Sequence, residues 1–464
     1  MSHDYFQQRE FPRRVCGVSR GGGARRQEVS RVVQTDTMRH AVLLDLVHGC
    51  CPTCAGSSPL REAASDPCVF VLCGERHGER RHALPSWCGS AQVLDCGSTA
   101  ESLFRFKQRA DRMDLSSITV LTTPRGREAL ARYQRQLFTA VYTFEYRVKE
   151  PTCPGCTSPA HTDSPGEGVV EEEVSAFVQQ LPALRGDVMV LTSTLIPDIF
   201  GHGFSTRSGG VSYIPTLSSL NLFSSSRRRD PIAVVMENRR RLAVHAGFHP
   251  EPLRLVKVDH GKVVWVVGGV EPQSYDGMVT NQTGQVLAAP GADCMTLLFA
   301  DPVSKVIGVA HAGWKGTLMG VSMATVEAMV TEFGCQVSDI VVAVGPSVGS
   351  CCFTLERTNA LEFISIDPDC VPDPGSDRPH VNICLANRLL LQRGGIRPEH
   401  IHDNAVTDRP CVTPCTSCQP DLFFSHVRDG LNFGTQVGFL WIKDRAELAE
   451  PGPRPAGETS PAGP

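Results

Sequence analysis

The second half of the chain alternates short, continuous hydrophobic runs with glycine-rich or polar turns. Runs of this kind are typical of strands that are covered on both faces of a sheet. From about residue 195 onwards the pattern therefore predicts a succession of buried strands, the last of which ends at Lys443. The clearest runs are "GKVVWVVGG" (261–269), "MTLLFA" (295–300), "KVIGVAHAG" (305–313), "DIVVAVGPSVG" (339–349) and the final "QVGFLWIK".

One stretch among these strands, 317–334, has a helical pattern instead. Its sequence, "TLMGVSMATVEAMVTEFG", lacks the strict apolar–polar alternation of a half-buried strand and is too long for a buried one. Thr317 is the predicted N-cap of this helix, and Gly334 is its predicted C-terminal stop.

The first half of the chain contains a β-α-β pattern. "SSITVLTT" (116–123) indicates a strand and "VYTFEYRV" (141–148) alternates like one. Apolar runs from Met38 ("MRHAVLLDLV") and Val69 ("VFVLC") predict two earlier strands, so we expect an N-terminal α/β domain. The intervening helix has apolar residues at helical spacing, namely Ala129, Leu130, Tyr133 and Leu137.

Composition shifts divide the chain into five predicted parts. They are a disordered basic extension (1–37), the N-terminal α/β domain (38–148), a linker with a short acidic helix (149–186), the main domain (187–445) and a disordered Pro/Gly/Ala-rich tail (446–464).

Charge and hydropathy exclude several classes of partner from our expectations. The 464 residues include 45 basic and 49 acidic side chains, and a net charge of -4 does not favour a nucleic-acid partner. No apolar run approaches the roughly 20 residues of a membrane span. The Arg-rich start has no apolar core of a secretory signal, and 19 cysteines, an odd number, favour a reducing compartment.

Several cysteine pairs invite a metal or redox interpretation. "CCPTC" (Cys51, Cys54) and "CPGC" (Cys153, Cys156) could together form a zinc site, but their separation of about a hundred residues is far longer than in the usual zinc ribbon, so loop cysteines are favoured. The later C-x-x-C pair, Cys415 and Cys418, offers only two ligands. We predict loop or pocket-wall roles for it and for the adjacent Cys351–Cys352.

A thiol and two imidazoles stand at the ends of predicted strands. Cys294 precedes one strand, His311 ends the next, and His260 precedes a third. If the first two strands pair antiparallel, all three side chains can reach one sheet edge. Zinc accepts these ligands in tetrahedral geometry, and three protein ligands leave a fourth position for water or substrate. The alternative is that all three are ordinary packing residues, which spacing alone favours.

Motifs in this half of the chain resemble the YfiH/laccase-domain family. They extend from about 195 to 443, over half the chain, and the likeness is greatest to the animal branch, with a looser likeness over 38–150. The motifs are "HGFSTRSGGVS", "SLNLF", "DHGKVVW", "GADC", "VAHAGWKGT", "GPSVGSCCF" and "FFSHVRDG". Bacterial members more often have "QVHG" where this chain has "KVDHG", so the contacts around His260 can differ.

The resemblance implies a chemistry for the thiol and imidazoles. His260, Cys294 and His311 would be the metal ligands and the catalytic residues of a zinc-dependent purine nucleoside enzyme with inorganic phosphate as co-substrate. The implied reactions are phosphorolysis of adenosine, inosine, guanosine and S-methyl-5'-thioadenosine to the base and ribose-1-phosphate, and hydrolytic deamination of adenosine to inosine.

The resemblance also implies a fold and a cellular setting. The fold is α+β, a four-layer α/β/β/α sandwich of mixed sheets, here preceded by the smaller α/β domain. For the animal branch it implies a cytoplasmic protein that is shared with the nucleus, endoplasmic reticulum and peroxisomes and is linked to innate immunity and inflammation. It suggests a homodimer, and we expect any protein partners to bind through the N-terminal domain.

A phosphate co-substrate requires a cation. Arg207 in "HGFSTRSGG" is the first candidate, Arg428 in "SHVRDG" the second and Lys315 the third, since Arg grips phosphate with two N–H groups. The alternative for each is a surface or ion-paired base. Other candidates carry two interpretations each: Asp293 orients a ligand or caps a turn, Trp314 stacks on the purine or packs in the core, and His202 and His426 line the pocket.

Three other functions compete with the nucleoside enzyme. A multicopper phenol oxidase needs several His-x-His pairs, and this chain has one, His400-Ile401-His402. A non-catalytic scaffold would not need the intact His/Cys/His set. A Cys–His hydrolase would use Cys294 as a nucleophile and predicts its reaction with iodoacetamide.

Overall fold

The computed structural model describes residues 40–48, 68–73, 91–150 and 165–444. The strands there are β1 (His40–Asp45), β2 (Val69–Cys73), β3 (Gln92–Asp95), β4 (Ser117–Thr122), β5 (Thr143–Val148), β6 (Val190–Leu191), β7 (Phe200–Ser205), β8 (Leu253–Leu255), β9 (Val264–Val266), β10 (Gly277–Thr280), β11 (Val286–Gly291), β12 (Met295–Asp301), β13 (Val306–Ala312), β14 (Val341–Val344), β15 (Ile401–His402) and β16 (Gln436–Ile442). The α-helices are α1 (Thr99–Arg112), α2 (Pro124–Leu137), α3 (Glu167–Gln179), α4 (Ile232–Ala246), α5 (Trp314–Met319), α6 (Val321–Phe333), α7 (Arg357–Glu362), α8 (Ile383–Arg393) and α9 (His426–Asp429).

The first five strands form one parallel sheet in the order β3-β2-β1-β4-β5. The strands predicted from Met38, from Val69 and on either side of helix α2 are all present. Strand β3 and helix α1 were not predicted, although Ser98 accepts a hydrogen bond from the backbone N–H of Glu101 and so caps α1. This Ser-x-x-Glu spacing is a recognisable helix start.

The remaining strands form two mixed sheets. One has six strands in the order β15-β14-β12-β13-β10-β9, and the other has five in the order β6-β7-β16-β11-β8. Parallel pairs occur at β14–β15, β9–β10 and β8–β11, and the other neighbours are antiparallel. The described chain is therefore a mixed α/β structure in which the predicted buried strands are present, several of them shorter than their apolar runs.

The predicted helix over 317–334 is interrupted near its start. Gly320 has a left-handed φ of 82° and separates α5 from α6. Thr317 is thus not an N-cap but lies inside α5, where its hydroxyl accepts a hydrogen bond from the Asn387 side chain at 2.8 Å. The predicted stop at Gly334 is confirmed, because this residue takes a left-handed conformation after α6.

Three apolar cores hold the two mixed sheets. One lies between the sheets and includes Phe204, Leu298 and Leu440. A second packs α6 and α8 on the other face of the six-stranded sheet, and a third packs α4 on the other face of the five-stranded sheet. Burial of these continuous apolar faces is what orders the strand ends on which the site is built.

A separate core joins the parallel sheet to its neighbours. Helix α3, the predicted acidic helix, buries Val170, Val174 and Val178 in it, and so do Val211 and Val234 from further along the chain. In the described residues no helix combines the length and the apolar character needed to cross a bilayer. The predicted arm (1–37), the tail (446–464) and the cysteine pairs "CCPTC" and "CPGC" lie outside the described residues.

Candidate metal and active site

Strand ends bring His260, Cys294 and His311 together. Cys294 directly precedes β12 and His311 lies near the end of β13, and these strands pair antiparallel with Thr296 opposite His311. His260 lies in the turn before β9, with a φ of 65°. One ligand atom from each of the three residues lies within 4.8 Å of the other two.

A fourth residue, Asp276, fixes both histidines. Its Oδ1 lies 2.8 Å from Nδ1 of His311 and accepts the backbone N–H of His260 at 3.1 Å. Its Oδ2 accepts the backbone N–H of Gly261 at 2.8 Å. Burial alone would raise the pKa of this carboxyl, but the hydrogen bond from His311 and the other donors lower it to about 2. Sequence reasoning missed Asp276, whose only signal was its position directly before strand β10.

The charges in the site favour the ligand form of the cysteine. Burial opposes ionisation of the Cys294 thiol, but the adjacent His311 and His260 lower its pKa to about 6. Burial likewise opposes a charge on His311, but Cys294 and Asp276 raise its pKa to about 9. Thiolate is the form of cysteine that binds a metal.

The site is closed on one side and open on the other. His311 is 4% exposed, Cys294 is partly buried and His260 is exposed. Gly313 closes the inner wall: a Cβ at this position would lie 3.0 Å from the Cys294 sulfur and 3.2 Å from Cδ2 of His260. A ligand can therefore approach from the His260 side.

The donor set fits a zinc ion. One thiolate and two imidazoles converge, and the Asp276 contact to Nδ1 of His311 leaves Nε2 of that ring for a metal. Histidine ligands of zinc commonly make such a bond from their second nitrogen to a carboxylate. Three protein ligands with an open side match catalytic zinc sites, which keep a coordination position for water or substrate.

Asp293, beside Cys294, bonds to two other segments of the chain. Its Oδ1 accepts the hydroxyl of Thr416 at 2.7 Å, and its Oδ2 accepts the backbone N–H of Val427 at 2.6 Å. The residue has a φ of 102°, a conformation that favours glycine. Of its two predicted roles, these contacts fit a residue that holds turns in place beside the metal ligands.

The two arginines predicted to bind phosphate both donate to backbone carbonyls of the 416–420 segment. Arg207 is 4% exposed, and its three nitrogens donate to the backbone carbonyls of Ser218, Pro420 and Pro215. Arg428 donates to both oxygens of Asp429 and to the carbonyl of Thr416, whose hydroxyl bonds Asp293. Both side chains thus hold neighbouring loops, and their contact with phosphate remains a prediction.

The other candidates differ in their exposure and in the residues that they contact. Lys315 is exposed, with its ammonium 5.4 Å from the centre of the Trp314 ring, which packs partly against the core. His426 is exposed, and its backbone N–H donates to the carbonyl of Ala292, two residues before Cys294. His202 instead bonds Ser193 at 3.0 Å and is not part of the cluster of ligand atoms.

Comparison with known proteins places most of the chain. Residues 201–443 match the family of multi-copper polyphenol oxidoreductase laccase. The purine nucleoside phosphorylase LACC1 of Homo sapiens is 48% identical over 402 residues, which cover 85% of this chain and 90% of the human protein. Adenosine deaminase RL5 from an unknown prokaryotic organism is 28% identical over 257 residues, covering 52% of this chain and 94% of that protein. The crystal structure of YlmD from Geobacillus stearothermophilus gives a TM-score of 0.48 at 29% identity and covers 54% of this chain and 94% of that one.

Proposed function

The chain belongs to the YfiH/laccase-domain family, described as multi-copper polyphenol oxidoreductase laccase, and we propose that it is a zinc-dependent purine nucleoside enzyme. The observation that carries the proposal is the convergence of His260, Cys294 and His311 at an edge that is open on one side. The name of the human relative supports phosphorolysis, and that of the prokaryotic relative supports adenosine deamination.

Two balanced reactions follow from this proposal. In phosphorolysis, phosphate replaces the base at C1′ of the ribose. Adenosine, inosine and guanosine give ribose-1-phosphate and adenine, hypoxanthine or guanine, respectively. S-methyl-5'-thioadenosine gives adenine and the 1-phosphate of its methylthio sugar. In deamination, adenosine and water give inosine and ammonia. Zinc would supply Lewis-acid chemistry that activates water at neutral pH.

The residues of the chain would act by holding and orienting. Asp276 fixes the His311 ring through Nδ1 and the His260 turn through its backbone, so that both imidazoles keep their direction. Asp293 keeps the α9 loop against the Cys294 turn through Val427. Ligands held by such outer contacts lose less freedom when a metal or substrate binds.

We assign binding of the phosphate to Arg207 and Arg428. Both lie in motif segments and donate to carbonyls of the 416–420 segment, in which Thr416 bonds Asp293. Among the described residues, Nη1 of each arginine donates to one carbonyl, so its second N–H can serve a ligand. Arg presents its N–H groups in a fixed fork that suits a phosphate.

We also propose the four-layer sandwich for the main domain. Its support is the order of packing: α4 on the five-stranded sheet, the core between the two mixed sheets, and α6 with α8 on the far face of the six-stranded sheet. The parallel sheet of β1 to β5 would then be the preceding α/β domain.

Copper oxidase chemistry has less support from the same residues. His402 bonds the Ser193 hydroxyl at 2.7 Å and lies 3.1 Å from the Pro410 carbonyl, so both its ring nitrogens have protein partners. His400 faces the Ile340 carbonyl at 3.3 Å. Among the described residues, two groups of side chains could hold a metal ion: His260 with Cys294 and His311, and a set of four cysteines. Neither group contains His400 or His402.

The metal content and the turnover of a Cys294→Ala variant test the proposal. The parent chain, Cys294→Ala and the control Cys96→Ala, a partly buried cysteine outside both metal-binding groups, would be analysed for zinc and copper and incubated with adenosine, with and without phosphate. We expect inosine from the parent in either condition, adenine only with phosphate, and neither product from Cys294→Ala. Copper with phenol oxidation, or unchanged turnover in Cys294→Ala, would overturn the proposal.

A further inference from the structure

Four thiols outside the candidate active site form a second cluster. The sulfurs of Cys351, Cys352, Cys415 and Cys418 all lie within 4.8 Å of one another. The sulfur of Cys418 is 3.5 Å from that of Cys351 and 3.4 Å from that of Cys352. The C-x-x-C pair offers two ligands by sequence, and the fold brings it the other two from a separate loop.

The backbone holds the two loops in this position. Ser347 and Cys415 form an isolated parallel bridge, and the backbone N–H of Thr416 donates to the Ser347 carbonyl at 3.0 Å. The first loop then turns, because the N–H of Cys352 donates to the Gly349 carbonyl at 3.0 Å. The sulfurs therefore meet on backbone that is fixed by its own hydrogen bonds.

The two loops also approach each other closely at Gly349. A Cβ there would lie 3.3 Å from the Cys351 sulfur and 3.3 Å from Cβ of Cys415, which is tighter than ordinary contact. Its backbone N–H donates to the Cys415 sulfur at 3.2 Å. This bond fixes the position of the Cys415 sulfur relative to the loop that carries Cys351 and Cys352.

The spacing of the sulfurs suits a single metal centre. Zinc–sulfur bonds of about 2.3 Å in a tetrahedron place the sulfurs about 3.8 Å apart. The observed separations, from 3.4 Å up to the 4.8 Å limit, lie around this value. A disulfide joins only two sulfurs, at about 2.05 Å, so disulfide formation would not explain why four sulfurs converge. All four cysteines are free.

We propose that Cys351, Cys352, Cys415 and Cys418 bind a second zinc ion in a closed tetrathiolate site. A soft, four-sulfur set selects zinc over the harder divalent cations. Cys351 and Cys418 are exposed, so the ion has a route of entry from solvent. With all four positions taken by protein, the site is structural and leaves no place for a substrate.

The second zinc joins loops that reach the first site. Thr416 lies between two of the thiolate ligands, and its hydroxyl donates to Asp293, the neighbour of Cys294. Val348, just before the other two ligands, donates its backbone N–H to the carbonyl of Asp293 at 3.0 Å. The cluster therefore positions the turn that carries Cys294, and this role does not depend on which reaction the first site performs.

Zinc content measured by difference tests the site. Four full-length proteins would be compared after dialysis against a weak chelator: the parent, Cys415→Ser/Cys418→Ser, Cys294→Ala, and the control Cys96→Ser. We expect the double variant and Cys294→Ala each to lose one equivalent of zinc relative to the parent, and the control to lose none. Zinc bound elsewhere on the chain cancels in this comparison.

A measurement that leaves the four thiols intact guards against misfolding of the double variant. X-ray absorption of the zinc in Cys294→Ala/His311→Ala should show four sulfur neighbours at about 2.3 Å and no nitrogen. Zinc content equal to the parent in the double variant, a metal-free Cys294→Ala/His311→Ala protein, or disulfides among the four cysteines would overturn the site. Failure of the nucleoside activity would leave these zinc counts unchanged, so the two proposals fail separately.

Discussion

The His311 ring and the Asp276 carboxylate form a buried hydrogen bond, with 2.8 Å between Nδ1 and Oδ1. The same carboxylate accepts backbone N–H groups from the His260 turn, so it orients two of the three proposed metal ligands at once. In Asp276→Asn the side-chain NH₂ group would face at least one of these N–H donors and could not accept its hydrogen bond. Because outer contacts of this kind commonly contribute about 10–100-fold to metal affinity, we expect zinc affinity to fall by that factor in a competition assay with a chromogenic chelator.

A second aspartate–histidine pair provides the control for this prediction. Nδ1 of His380 also lies 2.8 Å from Oδ2 of Asp373, but both side chains are substantially exposed. Neither residue belongs to the group of His260, Cys294 and His311. Asp373→Asn should leave zinc affinity unchanged. Equal affinity in Asp276→Asn and the parent would show that the buried pair does not tune the site.

The hydrogen bond from Thr416 to Asp293 should contribute measurably to stability. Both residues are buried, and Thr416→Val keeps the shape of the side chain while it removes a hydroxyl that donates to Oδ1 of Asp293 at 2.7 Å. A buried polar atom left without its partner costs about 1–3 kcal/mol. Urea unfolding should show a lower midpoint with an unchanged m-value.

An exposed threonine provides the comparison for Thr416. Thr331 donates its hydroxyl to the Glu327 carbonyl on the surface of α6, so Thr331→Val should change the free energy of unfolding by less than about 0.5 kcal/mol. If Thr416→Val were as stable as Thr331→Val, the Asp293 contact would contribute nothing to the fold.

Asp111 holds a network between α1 and the segment before α4. It bonds Lys107 at 2.9 Å and Arg229 at 2.7 Å, and it accepts the hydroxyls of Tyr142 and Tyr213. Lys107 is fully buried, so Asp111→Asn would remove the carboxylate that pairs directly with its charge at 2.9 Å. We expect a loss of about 3–5 kcal/mol, the usual cost of breaking a buried pair, measured by denaturant unfolding.

The same arginine supplies the control. Arg229 also bonds Asp114 at 2.6 Å, but that carboxylate is 91% exposed. Exposed ion pairs contribute about 0–1 kcal/mol, so Asp114→Asn should be close to the parent. Similar losses in both variants would mean that burial does not set the strength of this network.

The Asp111 network should also make stability depend on acid. Burial opposes ionisation of this carboxyl, but Lys107 and the two tyrosines hold its pKa below the ordinary 3.8. Between the two pKa values the unfolded chain binds the extra proton, so stability is lost as the pH falls through the lowered pKa. The stability gap between the parent and Asp111→Asn should be full above about pH 4 and shrink below it. A gap that stays constant down to pH 2 would contradict the assignment.

Sequence patterns predicted the parts of the site that depend on neighbouring strands. Cys294 and His311 flank two consecutive apolar runs, and such runs pair antiparallel, as β12 and β13 do. His260 was placed at the same edge because it precedes a third apolar run, and the family resemblance then implied that all three residues bind a metal. Asp276 was missed because its bond to His311 spans 35 positions and no local pattern marks it.

Contacts between loops were beyond prediction for the same physical reason. The sulfurs of Cys351 and Cys418 meet across 67 positions, in segments without hydrophobic periodicity. The burial of Arg207 depends on three carbonyls from two loops, one of which is 213 positions away. Strands could be predicted because their apolar residues follow a local pattern along the chain. A polar cluster has no such pattern, because its members come together only in the folded chain.

The two proposed reactions can separate phosphate binding by Arg428 from its contacts to Asp429 and Thr416. Deamination uses no phosphate, so it reports on the integrity of the site. In Arg428→Gln we expect the KM for phosphate in phosphorolysis to rise on the order of tenfold while deamination of adenosine is retained, since one charge-assisted contact is lost. Arg388→Gln is the matched control, because Arg388 also bonds a carboxylate (Asp403) and a carbonyl away from the cluster. A parallel loss of both activities, with a lower unfolding midpoint, would show that Arg428 only holds the loops.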